Sequence, residues 1–336
     1  MARALVTGGT GFTGSHIANA LAAAGWSVRT LDVNPPDDMA GHEFVRADTR
    51  DTAAMGKAAR RCDVVIENAA LVPVTRSTEA EYRSVNVDGC RITLDAAEAE
   101  GAYVVRVSSS AIYGVPQVLP TPVTAPLAPF DPYGRSKAEA ERIVDERRAR
   151  GLAVASLRPR TLVGAGRLGL FDVIFGRVRA GKRVPIFGRG RNRSQLCDVQ
   201  DLCGAALGAI ENRASGNYNV GSAGYGTVRE DIERLIAHAG TGAKVLPVPT
   251  LAIRAVLQPL ELVGRSPFTQ WHWGSAAADF YLDLSNAEAD LGWRPRFTND
   301  ETLANSYDDY VRRGEADGPS AHRRPLSGAL AKLLRG

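Results

Sequence analysis

A parallel β-sheet covered by helices on both faces is the fold class this sequence predicts, and three observations predict it. Short apolar runs alternate with Ala-rich, helix-length stretches through the first half of the chain. A glycine-rich turn joins the first run directly to the first helical stretch, and a carboxylate ends the second run. The strand candidates are Ala4–Thr7, Val28–Leu31, Val64–Ile66, Tyr103–Val107 and Ala153–Leu157. Ser15–Ala24, Val85–Glu100 and Ser136–Arg150 are long enough to serve as crossover helices between parallel strands. Right-handed crossovers then make the sheet doubly wound.

Beyond Gly164 the alternation loosens, with Gly181, Pro185, Gly188 and Gly190 breaking the pattern. A helix is expected over Val199–Asn212, and the following Gly216–Gly221 reads as a strand. The chain therefore divides into a main domain over 1–165, completed by about 196–221, and a smaller lobe from 166–195 and 222–311. Residues 312–336 form a tail, polar and loop-like from Arg312 to Arg324, in which Leu326–Leu334 fits a short amphipathic helix docked on its own protein.

Composition narrows the class. The 336 residues suffice for one large α/β domain plus a lobe, and 44 % apolar with 23 % charged residues is ordinary globular usage. Net charge is only +4. Arg147, Arg148 and Arg150 read as a solvated helix end, whereas Arg189, Arg191 and Arg193 lie in a Gly-rich loop able to meet an anionic substrate. Neither cluster has the interleaved aromatics of a nucleic-acid surface, so no nucleic-acid partner is expected. The most apolar late stretch, Leu251–Gly264, is interrupted by Arg254, Pro259 and Glu261, so no membrane span is expected. Cys62, Cys90, Cys197 and Cys203 form no CxxC pair and have no His at ligand spacing. They read as reduced residues of a cytoplasmic protein, and no metal is expected.

The glycine turn is the strongest local signal. In LVTGGTGFTG, Gly9, Gly11 and Gly14 fit GxGxxG between a strand and a helix. Such glycines permit a tight turn, close backbone approach to a pyrophosphate, and close packing of helix on strand. The helix N-terminus beyond favours the phosphate charge. Asp32 follows eighteen residues after Gly14. Its carboxylate can accept from adenosine ribose hydroxyls and would repel a 2′-phosphate, so NAD is preferred over NADP. Arg29, earlier in the same run, is less well placed to hold a phosphate; the plainer role for Asp32 is a turn before Asn34-Pro35.

A second signal is DPYGRSKAEAE. Tyr133 and Lys137 stand four apart on an expected helix and share one face. An ammonium beside a phenol favours the phenolate, so Tyr133 can exchange a proton with a hydroxyl. The serines of VSSSAIYG close an apolar run, and the carboxyl ends of parallel strands border the ligand crevice of open α/β sheets.

Together these segments resemble the extended short-chain dehydrogenase/reductase family, of NAD-dependent epimerase/dehydratase type, over most of the chain. The resemblance implies a Rossmann domain with a smaller C-terminal substrate lobe. It implies Ser109, Tyr133 and Lys137 as catalytic residues, with Ser110 a neighbour facing the substrate. It implies a cofactor site of Gly8, Gly9, Gly11, Phe12, Thr13, Gly14, Asp32, Asp48, Thr49, Ala69, Ala70, Asn86, Tyr133, Lys137 and Pro159. RADTRD carries Asp48, and VNVDG carries Asn86; ENAA, with Glu67, departs from the family's usual His-Leu-Ala-Ala. LRPRTLVGAG and LGWRPRF match later family segments.

The resemblance also narrows the reaction. Family 4,6-dehydratases carry an Asp-Glu pair directly after the catalytic Ser/Thr, where this chain has Ser110 and Ala111. The expectation is a nucleotide-sugar epimerase of the 4-epimerase type. Against it, Ser194 stands where the family's phosphate-holding arginine would be, with Arg193 beside it as a substitute. The alternative is a net dehydrogenase or ketoreductase similar to the 3β-hydroxysteroid dehydrogenase branch, acting on a sterol-like alcohol. Ser266–Thr269 (SPFT), Trp271 and Trp273 carry that likeness, although the same segment can simply pack on the lobe core. A non-catalytic dinucleotide-binding regulator is disfavoured by the presence of Ser109, Tyr133 and Lys137. The family resemblance further implies a homodimer joined through Val85–Glu100 and Ser136–Arg150.

Overall fold

The computed structural model describes residues 1–36, 41–73, 77–166, 170–251 and 278–316. Seven parallel strands form one sheet: β1 (Arg3–Thr7), β2 (Ser27–Asp32), β3 (Glu43–Arg46), β4 (Val64–Glu67), β5 (Tyr103–Val107), β6 (Val154–Pro159) and β10 (Gly216–Val220). Their order is β10-β6-β5-β4-β1-β2-β3. The winding direction reverses between β1 and β4, which opens a crevice beyond the strands' carboxyl ends.

Side-chain alternation along β1 explains why both faces are covered. Ala4 and Val6 join one core with Ile17, Leu21, Leu202 and Ala205, whereas Leu5 joins the other with Met55, Leu94, Ala140 and Val144. The first core packs under α1 (Phe12–Ala23) and α7 (Val199–Glu211), and the second under α2 (Thr52–Ala59), α4 (Gly89–Ala99) and α5 (Pro132–Ala149). Central β4 and β5 are buried along their whole length, as two-sided burial requires.

Two short parallel sheets lie outside: β7 (Thr161–Val163) with β9 (Leu196–Asp198), and β8 (Arg183–Phe187) with β11 (Lys244–Val248). A third core, including Phe175, Val184, Ile186, Leu235, Leu303 and Tyr307, packs them with α6 (Leu170–Arg179), α8 (Val228–Ala239) and the late helix α10 (Asn299–Ala316). The short α9 (Ser285–Leu291) packs on α7 and β10 of the main sheet.

Several boundaries differ from those the sequence predicts. Helix α5 begins at Pro132 rather than Ser136, because Asp131 caps it by accepting from Gly134 N at 3.1 Å and Pro132 occupies the first turn. The helix expected over Val85–Glu100 is two pieces, a π-helical turn over Ser84–Asp88 and α4, and α3 (Glu79–Arg83) directly precedes them. A capping box between Thr78 and Glu81 starts α3. The tail expected to be loop-like from Arg312 is helical to Ala316, since α10 runs through it. The remainder of the tail, with Leu326–Leu334, lies outside the described residues, as do Ser266–Thr269, Trp271 and Trp273.

Arg147 and Arg148 are not a solvated helix end. Arg147 pairs with Asp95 and Glu98 of α4, and Arg148 bonds Val154 O, Ser156 Oγ, Gly216 O and Asn217 Oδ1, tying α5 to the sheet edge. All four cysteines are buried and free.

Candidate active site

The glycine turn is shaped by contacts that leave no room for a side chain. Gly8 has φ +63°, and a Cβ on it would come 2.8 Å from Ala69 Cα. A Cβ on Gly14 would lie 2.0 Å from the Gly8 carbonyl oxygen, and one on Gly9 would lie 2.6 Å from Thr30 Cβ. Gly11 is different: its φ is ordinary, and its place at the N-cap of α1 is what matters. Helices α2, α5, α7 and α8 each have a side chain capping their first turn, whereas α1 has no side-chain cap and no acid there. Phe12 and Thr13 form that uncapped turn, and the Phe12 ring packs edge-on against His16.

The loop after β4 holds the turn in place. Asn68 donates its carboxamide to Thr7 O and Gly8 O, and Thr7 Oγ1 accepts from Asn68 N and Ala69 N. Thr7 and Asn68 had no sequence signal beyond adjacency to the motifs. Asp32 ends β2 facing this turn, accepting from Thr10 N at 3.3 Å and from Asn34 N at 3.1 Å. Its carboxylate thus serves the turn before Pro35 and still borders the glycine cradle. Arg29 points elsewhere, pairing with Glu43 and bonding Ala58 O and Arg60 O.

Ala47 N donates to Asp32 O, which brings the next segment beside the end of β2. Here Asp48 is clasped by Arg50 at 2.9 and 2.6 Å, and that bond holds the Asp48 carboxyl below its ordinary range. Thr49 packs under Gly89, where a Cβ would come 2.7 Å from its hydroxyl.

Asn86 sits in the π-helical turn and is buried. It accepts from Leu71 N at 2.8 Å and donates to Leu71 O and to Ser136 Oγ, which in turn donates to Tyr133 O. One side chain thus ties the loop containing Ala69 and Ala70 to the helix carrying Tyr133. An inserted π turn at such a junction is a common way to aim one side chain out of helical register.

Helix α5 presses its first turn onto the 3₁₀ turn Ser110–Tyr113, because Gly134 lies where a Cβ would come 2.9 Å from Ala111 O. Tyr133 is nearly buried, clustered with Ala111 and Tyr82, with the two tyrosine rings edge-to-face. Ser109 caps the 3₁₀ turn, its Oγ accepting from Ala111 N at 3.2 Å. Pro159 ends β6 opposite Val220.

Lys137 is 3 % exposed and donates Nζ to Val107 O at 3.0 Å. Burial pushes its ammonium down to about 8, with Glu67 opposing and Arg106 reinforcing the shift. The Glu67 departure from the family pattern is explained by register: Glu67 lies opposite Arg106 on β5, with Nε 3.0 Å from its carboxylate. Glu141 pairs in the same buried group with Arg106 and Arg158, and accepts from Ser108.

Arg193 is not drawn into this cluster. Its backbone N–H donates to Asp279, and the residue lines a cavity of about 320 Å³ with Tyr225, Glu230 and Arg234. Its neighbour Ser194 is the residue that reaches Ser110, through Arg160, which lies within 3.4 Å of both hydroxyls.

Residues 4–221 match the model of the NAD dependent epimerase/dehydratase family, and the chain belongs to that family. It is 33 % identical over 98 % of its length to an uncharacterized protein of Sinorhizobium fredii, covering 85 % of that protein. It is 28 % identical to a 4-hydroxy-2-methyl-3-oxo-4-farnesyl-3,4-dihydroquinoline-1-oxide ketoreductase of Stigmatella aurantiaca, over 90 % of this chain and 94 % of that one. Among solved structures, UDP-glucose-4-epimerase from Stenotrophomonas maltophila with bound NAD and formylated UDP-arabinopyranose superposes with a TM-score of 0.79. That match has 25 % identity and covers 94 % of this chain and all of the other. The glycine cradle, the uncapped α1 and the Asp32 carboxylate fit NAD. Among the described residues no helix is long and apolar enough to cross a membrane.

Proposed function

We propose that the chain is a nucleotide-sugar epimerase of the 4-epimerase type, with NAD held at the glycine turn and Ser109, Tyr133 and Lys137 as its catalytic residues. The observation carrying this reading is Lys137, a buried ammonium one helical turn from Tyr133 and bonded to Val107 O, two residues before Ser109. NAD supplies the hydride acceptor and donor when bound.

Tyr133 takes the proton from the reacting sugar hydroxyl through its phenol oxygen and gives it back after the keto-sugar has turned over. Lys137 spends one N–H on Val107 O, which leaves two donors for the cofactor ribose and the charge developing on Tyr133. Ser109 already accepts from Ala111 N, so its own hydroxyl proton is available to the reacting oxygen. Gly8, Gly9, Gly11, Phe12, Thr13 and Gly14 hold the pyrophosphate, while Asp32, Asp48 and Thr49 border the adenosine. Ala69, Ala70, Asn86 and Pro159 line the remaining length of the dinucleotide.

Ser110 and Ala111 carry no carboxylate, so the loop after Ser109 offers no second acid–base pair for eliminating water. A net ketoreductase is the second reading, favoured by the relative from Stigmatella aurantiaca and by Ser194, a hydroxyl with no charge for a nucleotide phosphate. Both readings require Tyr133. Tyr133→Phe should retain the dinucleotide and lose roughly 10²–10⁴ in turnover; a variant with undiminished turnover would remove Tyr133 from the mechanism.

A further inference from the structure

Three arginines in or directly after the central strands are buried at 6 % exposure or less: Arg106, Arg158 and Arg160. The first two are neutralised, Arg106 by Glu67 and Glu141, and Arg158 by Glu141. Arg160 is not. Among the described residues no carboxylate lies within ion-pairing distance of it, and its Nε has no hydrogen-bond partner. Among the described residues its other two nitrogens make only long contacts, each 3.4 Å, to Ser110 Oγ and Ser194 Oγ. The guanidinium carbon lies 3.8 Å from the centre of the Phe280 ring, a contact that softens the charge without neutralising it. Burial alone pushes Arg160 down to about 9, with only Cys197 acting against it.

A buried cation with no carboxylate beside it among the described residues is a standing cost to the fold, as an uncompensated buried charge is, so an apolar residue of similar shape in its place removes that cost. Its place explains why this one persists. Arg160 directly follows Pro159 at the carboxyl end of β6, the crevice end of the sheet, and touches the hydroxyl of the residue next to Ser109. We propose that Arg160, flanked by the Ser110 and Ser194 hydroxyls, is a specificity-determining anion site that holds an anionic oxygen group of the substrate, a carboxylate or a phosphate. The inference rests on the proposed function only for where the substrate lies. A planar guanidinium between two hydroxyls suits a bidentate oxyanion, with each hydroxyl free to rotate and donate.

The test uses the NAD-loaded protein and Arg160→Met and Arg160→Lys variants, titrated with UDP, UDP-glucuronate, UDP-glucose, inorganic phosphate and acetate. Without any probe, the methionine variant should melt at or above the wild-type temperature. With probes, Arg160→Met should weaken an anion's binding by about tenfold or more, the scale of one lost charged hydrogen bond, and Arg160→Lys should recover part of it. A loss confined to UDP-glucuronate and acetate identifies a carboxylate. A loss shared by UDP, UDP-glucose and phosphate identifies a phosphate. If phosphate or acetate binds through Arg160 while no UDP compound binds, the anion site stands and the nucleotide-sugar reading fails. The proposal is overturned if all five probes bind the wild type and the methionine variant equally, if none binds the wild type, or if Arg160→Met is itself strongly destabilised.

Discussion

Lys137→Met separates the cost of burying a lysine from its use. In the folded protein Lys137 is fully enclosed and titrates at about 8, against 10.5 for a free lysine. At about 1.4 kcal/mol for each pH unit, the charged form costs the fold roughly 3 kcal/mol. The sign follows from proton counting. Between pH 8 and 10.5 the unfolded chain keeps a proton that the native state has released, so wild-type stability rises with pH across that window relative to a variant lacking the group. Below pH 8 the whole cost is present; above 10.5 it is gone. Methionine fills the aliphatic volume but leaves Val107 O without its donor, an opposing loss of about 1–3 kcal/mol that does not vary with pH. Urea unfolding of the dinucleotide-free proteins at closely spaced pH values from 6.5 to 10.5 measures the difference, and groups shared by both proteins cancel. The wild type should gain roughly 3 kcal/mol on the variant as pH rises through the window. A difference that stays flat would refute the claim that desolvation holds Lys137 down.

Two further substitutions test the cofactor cradle. Gly14→Ala forces a methyl to within 2.0 Å of the Gly8 carbonyl oxygen, a backbone atom that no side-chain rotation can move, so α1 must move off the turn; calorimetry should find NAD binding lost and stability lowered by about 1–3 kcal/mol. Asp32→Asn removes the negative charge beside the glycine turn, and fluorescence titration should show NAD weakened about tenfold or more with the preference over NADP reduced. Unchanged NAD/NADP selectivity would reduce Asp32 to its turn-forming bonds with Thr10 and Asn34.

The main sheet was legible because its central strands are buried on both sides and read as mostly apolar runs, as in YVVRV of β5, where Arg106 alone interrupts the pattern. Edge strand β3, EFVR, was invisible for the opposite reason: only its middle is shielded, and its ends are charged. Helix starts were misplaced where a cap, rather than apolar periodicity, sets them, at Asp131 for α5 and Thr78 for α3. The candidate residues Gly8, Gly14, Tyr133 and Lys137 were legible because each lies within a short motif, and Asp32 because it ends the strand after the glycine turn. Asn68, Ser136 and Arg160 were not, since each acts through partners distant in sequence: Asn68 on Gly8, Ser136 on Asn86, Arg160 between Ser110 and Ser194. Glu67 shows the same limit, for its departure from the family pattern makes sense only once β4 and β5 are in register.

The central claim is tested most directly by denaturing the purified protein, identifying the dinucleotide released, and incubating the intact protein with UDP-glucose or UDP-galactose while following absorbance near 340 nm. NAD should be released, and the two UDP-sugars should interconvert with no net rise in NADH. Stoichiometric NADH formation from a secondary alcohol, with the UDP-sugars left unchanged, would contradict the epimerase reading and establish a net dehydrogenase at the same tyrosine and lysine.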